Sequence, residues 1–256
     1  MIVNLTTDGW DVIYHRAHAL LAAQLGGQWR RADAPVRFYE TIAAISHHDD
    51  LEKEWKGDHL TKSGAPLDFT LGQEPPEVTL QKLKKHLEDS LYRGRWVALL
   101  TSKHICFLSQ GRKEISEDWR NFLETQEQQQ EKWQQELEIS PEEAARGYQF
   151  MQWCDRLSLI LAQKQVPEDS RALEITHGID QQRYDLRCLE NRHLTVEPWP
   201  FEEEKFTVNV EFSHLSDLQY DSNNALTIAL KQAPIRNLEW TFSKSYSKFN
   251  SVKPSY

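Results

Sequence analysis

Five side chains in this 256-residue sequence have the chemistry of metal ligands: His18, His48, Asp49, His104 and Asp155. Their centre is the stretch 42–55, Ile-Ala-Ala-Ile-Ser-His-His-Asp-Asp-Leu-Glu-Lys-Glu-Trp. It reads as a helix whose apolar side, Ile42 and Ile45, runs straight into adjacent histidines and aspartates. An imidazole and a carboxylate on a core-facing stripe are costly unless something satisfies them. A divalent ion does so, because neutral imidazole and ionised carboxylate are its natural ligands. At about 100° per residue, His48 lies about 60° to one side of Ile45 and Asp49 about 40° to the other, while His47 lies about 160° away and is expected to face solvent.

The same test applies elsewhere in the chain. His104 stands one turn from Leu100 and from Phe107, Asp155 one turn from Met151 and from Leu159, and His18 one turn before Leu21. Taken singly, each reads as a hydrogen-bonded core histidine or a packing or capping aspartate. Together on four inward faces, each would need its own buried partner, and a shared ion removes that demand. The donor set admits Mn, Fe, Mg, Ni or Zn.

The elements that must carry these side chains show in the spacing. Asp8-Gly9 marks a turn between two β-like runs, Ile2–Leu5 and Trp10–Tyr14. Helical spacing starts near His15, with His18, Leu21 and Leu25 on one face, and Gly26-Gly27 stops it. His15 competes with His18 for the first ligand position, but only His18 leads into the Leu21–Leu25 stripe. Phe38, Ile42, Ile45 and Asp49 share the next helical face. Residues 56–78 are loop-like, punctuated by Gly57, Gly64, Pro66 and Pro75-Pro76, and suit either a lid or a surface excursion. Asp68 and His59 in this loop either line a pocket or are ordinary loop residues. Helices are expected over 77–92 and from Trp96 to about Ser109, then a long, mostly solvated Glu/Gln-rich one over 114–139. Ser140-Pro141-Glu142-Glu143 has the form of a capping box and opens a helix carrying Ala144, Tyr148, Met151, Asp155, Leu159 and Ala162 inward.

After Pro167, alternating runs over Arg183–Val196, Lys205–Phe212, Ala225–Lys231 and Asn237–Phe242 read as strands. The expected fold is therefore mainly α in a single domain. A helical core over 15–165 is followed by a C-terminal antiparallel β-sheet elaboration over 166–256, which strands from 1–14 can join, giving α+β overall.

The composition excludes several functions. A net charge of -9 and a pI near 5.6 argue against broad binding to nucleic acid or to an anionic membrane, since phosphate neutralisation needs a basic face. They leave room for a small phosphorylated ligand held through a metal. Three cysteines without CxxC spacing fit reduced thiols. No signal peptide or membrane-length apolar run is present, so a cytoplasmic protein is expected. The acidic stretch 114–139 and the β-rich tail are compatible with a homo-oligomer or a partner contact.

The order His18, His48-Asp49 and a late helical Asp155 resembles the H…HD…D signature of HD-domain metal-dependent phosphohydrolases, an all-helical fold. A longer set resembles an uncharacterised bacterial family, a domain of unknown function distantly related to HD proteins. It comprises His15-Arg-Ala-His18-Ala-Leu-Leu-Ala-Ala-Gln-Leu, His48-Asp49-Asp50, Trp55, Gly64-Ala-Pro-Leu-Asp-Phe69, Leu100-Thr-Ser-Lys-His104 and Asp155-Arg-Leu-Ser-Leu159. That family tends to read His-Asp-Asp-Gly-Trp. Here Leu51 stands in place of glycine and the nearest tryptophan is Trp55, so the loop after the ligands differs.

The resemblance implies that His18, His48, Asp49 and Asp155 hold one divalent ion. His104 would be a fifth ligand, a ligand to a second ion or a phosphate-facing acid. Asp49 or Asp50 would accept a proton from water. Lys103 and Arg156 are candidates by position for neutralising phosphate, while His177, His193 and His214 lack ligand spacing. The expected activity is metal-dependent hydrolysis of a small phosphorylated molecule such as a nucleotide. A non-catalytic ligand-binding or scaffold module, and iron-dependent oxygen chemistry, are the alternatives.

Overall fold

The structure is a computed structural model describing residues 1–51, 54–72, 74–169 and 171–245. The chain starts as the sequence suggests. β1 (Ile2–Thr6) and β2 (Gly9–Ile13) form an antiparallel hairpin in which Thr6 faces Gly9. β2 then pairs with β6 (Lys205–Leu215), and β6 with β7 (Ile235–Ser243). Beyond β7 come β5 (Leu194–Glu197), β4 (Tyr184–Cys188) and β3 (Leu173–Thr176), giving the order β1-β2-β6-β7-β5-β4-β3. Every pairing is antiparallel except β5 with β7, which is parallel. β6 shows why these residues form a strand: Val208, Val210 and Phe212 point into the core while Thr207, Asn209 and Glu211 face water, a period of two.

This overturns the expected mainly α fold with an antiparallel β-sheet as a C-terminal elaboration. The protein is α+β, about 49% helical, with a seven-stranded mixed sheet curled into a half-barrel. The N-terminal hairpin forms one edge of that sheet, so its strands come from both ends of the chain. A second correction concerns 225–231, which is not a strand. Ser222 accepts a hydrogen bond from the Ala225 amide and caps α7 (Asn223–Gln232), and Leu226 and Leu230, one turn apart, pack with Val12 and Leu215 of the sheet.

Among the described residues, six α-helices precede the C-terminal strands: α1 (His15–Gly27), α2 (Phe38–His47), α3 (Pro76–Leu91), α4 (Arg95–Leu108), α5 (Glu117–Glu136) and α6 (Pro141–Ala162). The capping box of α6 is complete, with the Glu143 amide donating to Ser140 Oγ at 3.1 Å and the Ser140 amide to the Glu143 carboxylate at 2.8 Å. α5 is less solvated than its composition suggests. Trp119, Phe122 and Leu123 bury against Leu80 and Leu87 of α3 and Ile105 of α4. No helix among the described residues is long and apolar enough to cross a membrane.

α1, α2, α4 and α6 share one core with the sheet. At its centre the rings of Trp29, Phe150, Trp153, Tyr184 and Phe201 meet edge to face or tilted at 5.0–6.4 Å. Each fully buried large apolar side chain of this kind contributes about 1.5–3 kcal/mol. Two glycines set the helix spacing. A Cβ on Gly26 would lie 2.9 Å from Ile42 Cδ1 and 3.1 Å from Cys154 Sγ, and one on Gly147 would lie 2.8 Å from the Trp96 ring. These contacts draw α1 to α2 and α6, and α6 to α4. Trp96 Nε1 also donates to Thr41 Oγ1 at 2.9 Å, tying α4 to α2. The four helices that carry the candidate ligands are thus held in fixed register.

Candidate metal centre

α1 presents His18, the end of α2 presents His48 and Asp49, α4 presents His104 and α6 presents Asp155. The structure brings all five together. His18, His48 and Asp49 form one group, and His48, His104 and Asp155 a second, with ligand atoms within 4.8 Å of one another in each. His18 Nε2 is 3.1 Å from Asp49 Oδ2 and 3.5 Å from Asp155 Oδ1. His48 Nε2 is 3.2 Å from Asp155 Oδ1 and 3.6 Å from Asp49 Oδ2. The three histidines are buried, whereas the Asp49 and Asp155 side chains retain 23% and 17% of their exposure, so the carboxylates mark the open side.

What lies behind the imidazoles fixes their orientation. Ser158 Oγ donates to the Asp155 carbonyl at 2.8 Å, so at 2.8 Å from His18 Nδ1 it accepts the proton there. His48 Nδ1 donates to the Ile45 carbonyl at 2.6 Å. Both rings therefore hold Nδ1–H outward and turn Nε2 toward the carboxylates, the arrangement that supporting hydrogen bonds impose on metal-ligating histidines. His104 Nδ1 is buried with no hydrogen-bond partner among the described residues, and so is the hydroxyl of Tyr148, whose ring lies 6.2 Å from that of His104. A donor set of three imidazoles and two carboxylates, with one imidazole nitrogen orphaned, has the composition and spacing to hold a metal ion.

The charges agree with this picture. Burial opposes a positive His48, yet Asp49 and Asp155 beside it lift its pKa to about 10. Burial likewise pushes the Asp49 carboxyl up, but His48 and His18 more than reverse it and hold Asp49 well below the usual range. Asp155 is lowered in the same way, chiefly by His48. Without a metal, then, one buried proton on His48 bridges two carboxylates. His104, with burial as its main influence, is pushed down to about 4 and is neutral at pH 7.

Other sequence candidates lie elsewhere. His47 is buried rather than facing solvent, because α3 packs on that side of α2. Its Nδ1 is 2.6 Å from Asp50 Oδ2 and its Nε2 3.0 Å from Ser90 Oγ. Those distances suit a nucleophile triad, but Ser90 is fully buried and its hydroxyl donates to the His86 carbonyl. Asp50 pairs with His47, Arg16 and Arg93, away from the five-residue cluster, so of the two carboxylates proposed to take a proton from water only Asp49 is at the centre.

His15 contacts Glu54 and the N-terminal amine, leaving the ligand role to His18. Asp68 caps the short turn Phe69–Leu71 and accepts from the Val3 amide, and His59 bonds the Lys56 carbonyl; both fasten the loop. Lys103 is half-buried near Cys106, and Arg156 is exposed. His214 is buried and pairs with Asp11. Sequence reasoning missed Ser158. Its signal was a lone serine in the apolar run Leu157–Leu161, one turn beyond Asp155 and on the same face.

A family model described as protein of unknown function (DUF3891) matches residues 1–217, a span that includes all five clustered side chains. The chain belongs to the DUF3891 family. No curated protein and no solved structure matches it.

Proposed function

We propose that this DUF3891 protein is a metal-dependent hydrolase of a small phosphorylated molecule such as a nucleotide. His18, His48, Asp49 and Asp155 would hold a divalent ion, with His104 as a further ligand or as a phosphate-facing group. The observation that carries the reading is the pair of supporting hydrogen bonds, from His18 Nδ1 to Ser158 Oγ and from His48 Nδ1 to the Ile45 carbonyl, which turn both Nε2 atoms onto shared carboxylates. Core histidines kept only for packing have no need of that convergence.

When bound, a divalent ion supplies Lewis-acid activation of water and of a phosphoryl oxygen. The chain's own residues supply the rest. The Asp49 carboxylate, partly exposed, would take up a proton from water on the open side. The Tyr148 hydroxyl near His104, buried and without a hydrogen-bond partner among the described residues, is kept protonated by burial, with Asp155 adding to the effect. Buried His104 is neutral and can accept a hydrogen bond or a proton.

The test is a screen of nucleotides and generic phosphate esters with Mn, Mg, Fe, Ni and Zn, using His48→Ala and Asp155→Ala as controls. Metal-dependent release of phosphate by the wild type alone is the expected result. Metal binding without turnover on any ester would overturn the hydrolase reading in favour of a binding module. Oxygen-dependent product formation would overturn it in favour of iron chemistry.

A further inference from the structure

The turn that carries His48 and Asp49 has a second side. Behind it, on the face reached by His47 and Asp50, lies a cleft of about 530 Å³ that none of the five clustered side chains lines. Its volume is in the range of a small-molecule site, roughly 300–1,000 Å³. In a chain of net charge -9 its walls are basic, carrying Arg16, Lys56, Lys82, Lys85 and Arg93 against the carboxylates of Asp50 and Asp89.

Two of these cations are already engaged: Lys82 with Glu74 at 2.6 Å, and Lys85 with Asp89 at 3.8 Å. The other three are not matched one for one. Arg16 and Arg93 share the single carboxylate of Asp50, at 3.6 and 3.2 Å, Arg16 also donates from Nη2 to the Asp50 carbonyl, and Asp50 contacts His47 as well. Both guanidinium side chains stay about half exposed, at 50% and 46%. Lys56 forms no ion pair among the described residues. The floor is preorganised, since Asp50, His47, Ser90 and the His86 carbonyl run in an unbroken hydrogen-bonded chain, and His86 Nε2 reaches the His48 carbonyl at 3.1 Å. Guanidinium groups with spare donors, fixed around a concave floor, match the charge and the paired oxygens of a phosphate group.

We propose that this cleft is a second site, separate from the metal centre, that binds a small phosphorylated anion through Arg16, Arg93 and Lys56. The proposal does not rest on the metal reading, and its test excludes the metal. Inorganic phosphate and inorganic pyrophosphate are titrated calorimetrically into the full-length protein in excess chelator, with Arg93→Gln, the Arg93→Gln/Lys56→Gln pair and Asp155→Asn as variants. Circular dichroism checks that each variant is folded; both cleft residues are on the surface.

Pyrophosphate is expected to bind wild type and Asp155→Asn alike, with affinity falling about tenfold in Arg93→Gln and further in the double variant. Affinity should also fall as salt rises. Absence of binding in chelator, or unchanged binding by the double variant, would overturn the proposal. Loss of binding in Asp155→Asn alone would overturn it too, by placing the anion at the clustered carboxylates. Binding of pyrophosphate but not phosphate would identify a diphosphate-bearing ligand within the proposed class.

Discussion

His47 and His48 are neighbours in sequence, both buried, and point into different worlds. On the His47 side each contact leads to the next: Asp50 to His47, His47 to Ser90, Ser90 to the His86 carbonyl, and His86 to the His48 carbonyl. On the His48 side two Nε2 atoms crowd onto the same two carboxylates, and the His104 Nδ1 nearby has no hydrogen-bond partner among the described residues. Both sides hold two or more histidines and at least one aspartate. What separates a structural relay from a candidate ion site is therefore not the inventory of residue types. It is whether the polar atoms satisfy one another or converge on one point.

The comparison can be broken by removing one side chain at a time on either side of it. His48→Ala and Asp155→Ala should each weaken divalent-ion binding by more than about 100-fold, as read by competition with a chelating dye; equal binding by either would show that the convergence is not a ligand set. Ser158→Ala, which frees His18 Nδ1 without touching a ligand, should cost about 10–100-fold in ion affinity while leaving the fold intact. His47→Ala should do the reverse. Its ion affinity stays near wild type, and stability to urea falls by about 1–3 kcal/mol because buried Ser90 and Asp50 each lose a hydrogen-bond partner.

The proton on His48 gives a sharper contrast. Its pKa in the metal-free fold is about 10, above the ordinary 6.5, so the pairing stabilises the metal-free protein fully below about pH 6.5 and is lost as pH rises through about 10. An ion binding there must displace that proton, so apparent affinity should rise about tenfold per pH unit across neutral pH. Calorimetry in buffers of different ionisation enthalpy should show about one proton released per ion bound, and no release would refute it.

The His15–Glu54 pair bears on stability alone, not on ion binding. With burial opposing it, the His15 contacts still lower Glu54 to about 2 from 4.5, so this contribution is complete above about pH 4.5 and fades as pH falls toward 2. Glu54→Gln should flatten stability in that acid window and leave ion affinity unchanged.

Much of this could be read from the chain. Asp8-Gly9 announced the first hairpin, Ser140 to Glu143 the start of α6, and helical phase chose all five clustered side chains. The failures have physical causes. Phase counted from Ile45 put His47 in solvent because His86 and Ser90 of α3, which meet its ring at the end of α2, are invisible to a single helix. α2 also ends at His47, so His48 and Asp49 occupy its cap and the following turn rather than further helix. Ala225–Lys231 alternates like a strand, and only the Ser222 cap with Leu226 and Leu230 one turn apart betrays a helix. β3 is four residues long, too short to carry a period. The extent of the sheet depends on pairing β2 with β6, about 200 residues away, and no local pattern encodes such a contact. The reach of Ser158 back to His18 is a tertiary fact of the same kind.

The central claim is that one side of the 47–50 turn is a metal-ion site and the other is not. Metal analysis of the full-length protein, purified without a histidine tag and reloaded in turn with Mn, Fe, Mg, Ni and Zn, tests it most directly. About one tightly held divalent ion per chain in the wild type and in His47→Ala, with none in His48→Ala or Asp155→Ala, is the predicted result. A wild type that retains no ion of any kind, while both ligand variants fold normally, would contradict it.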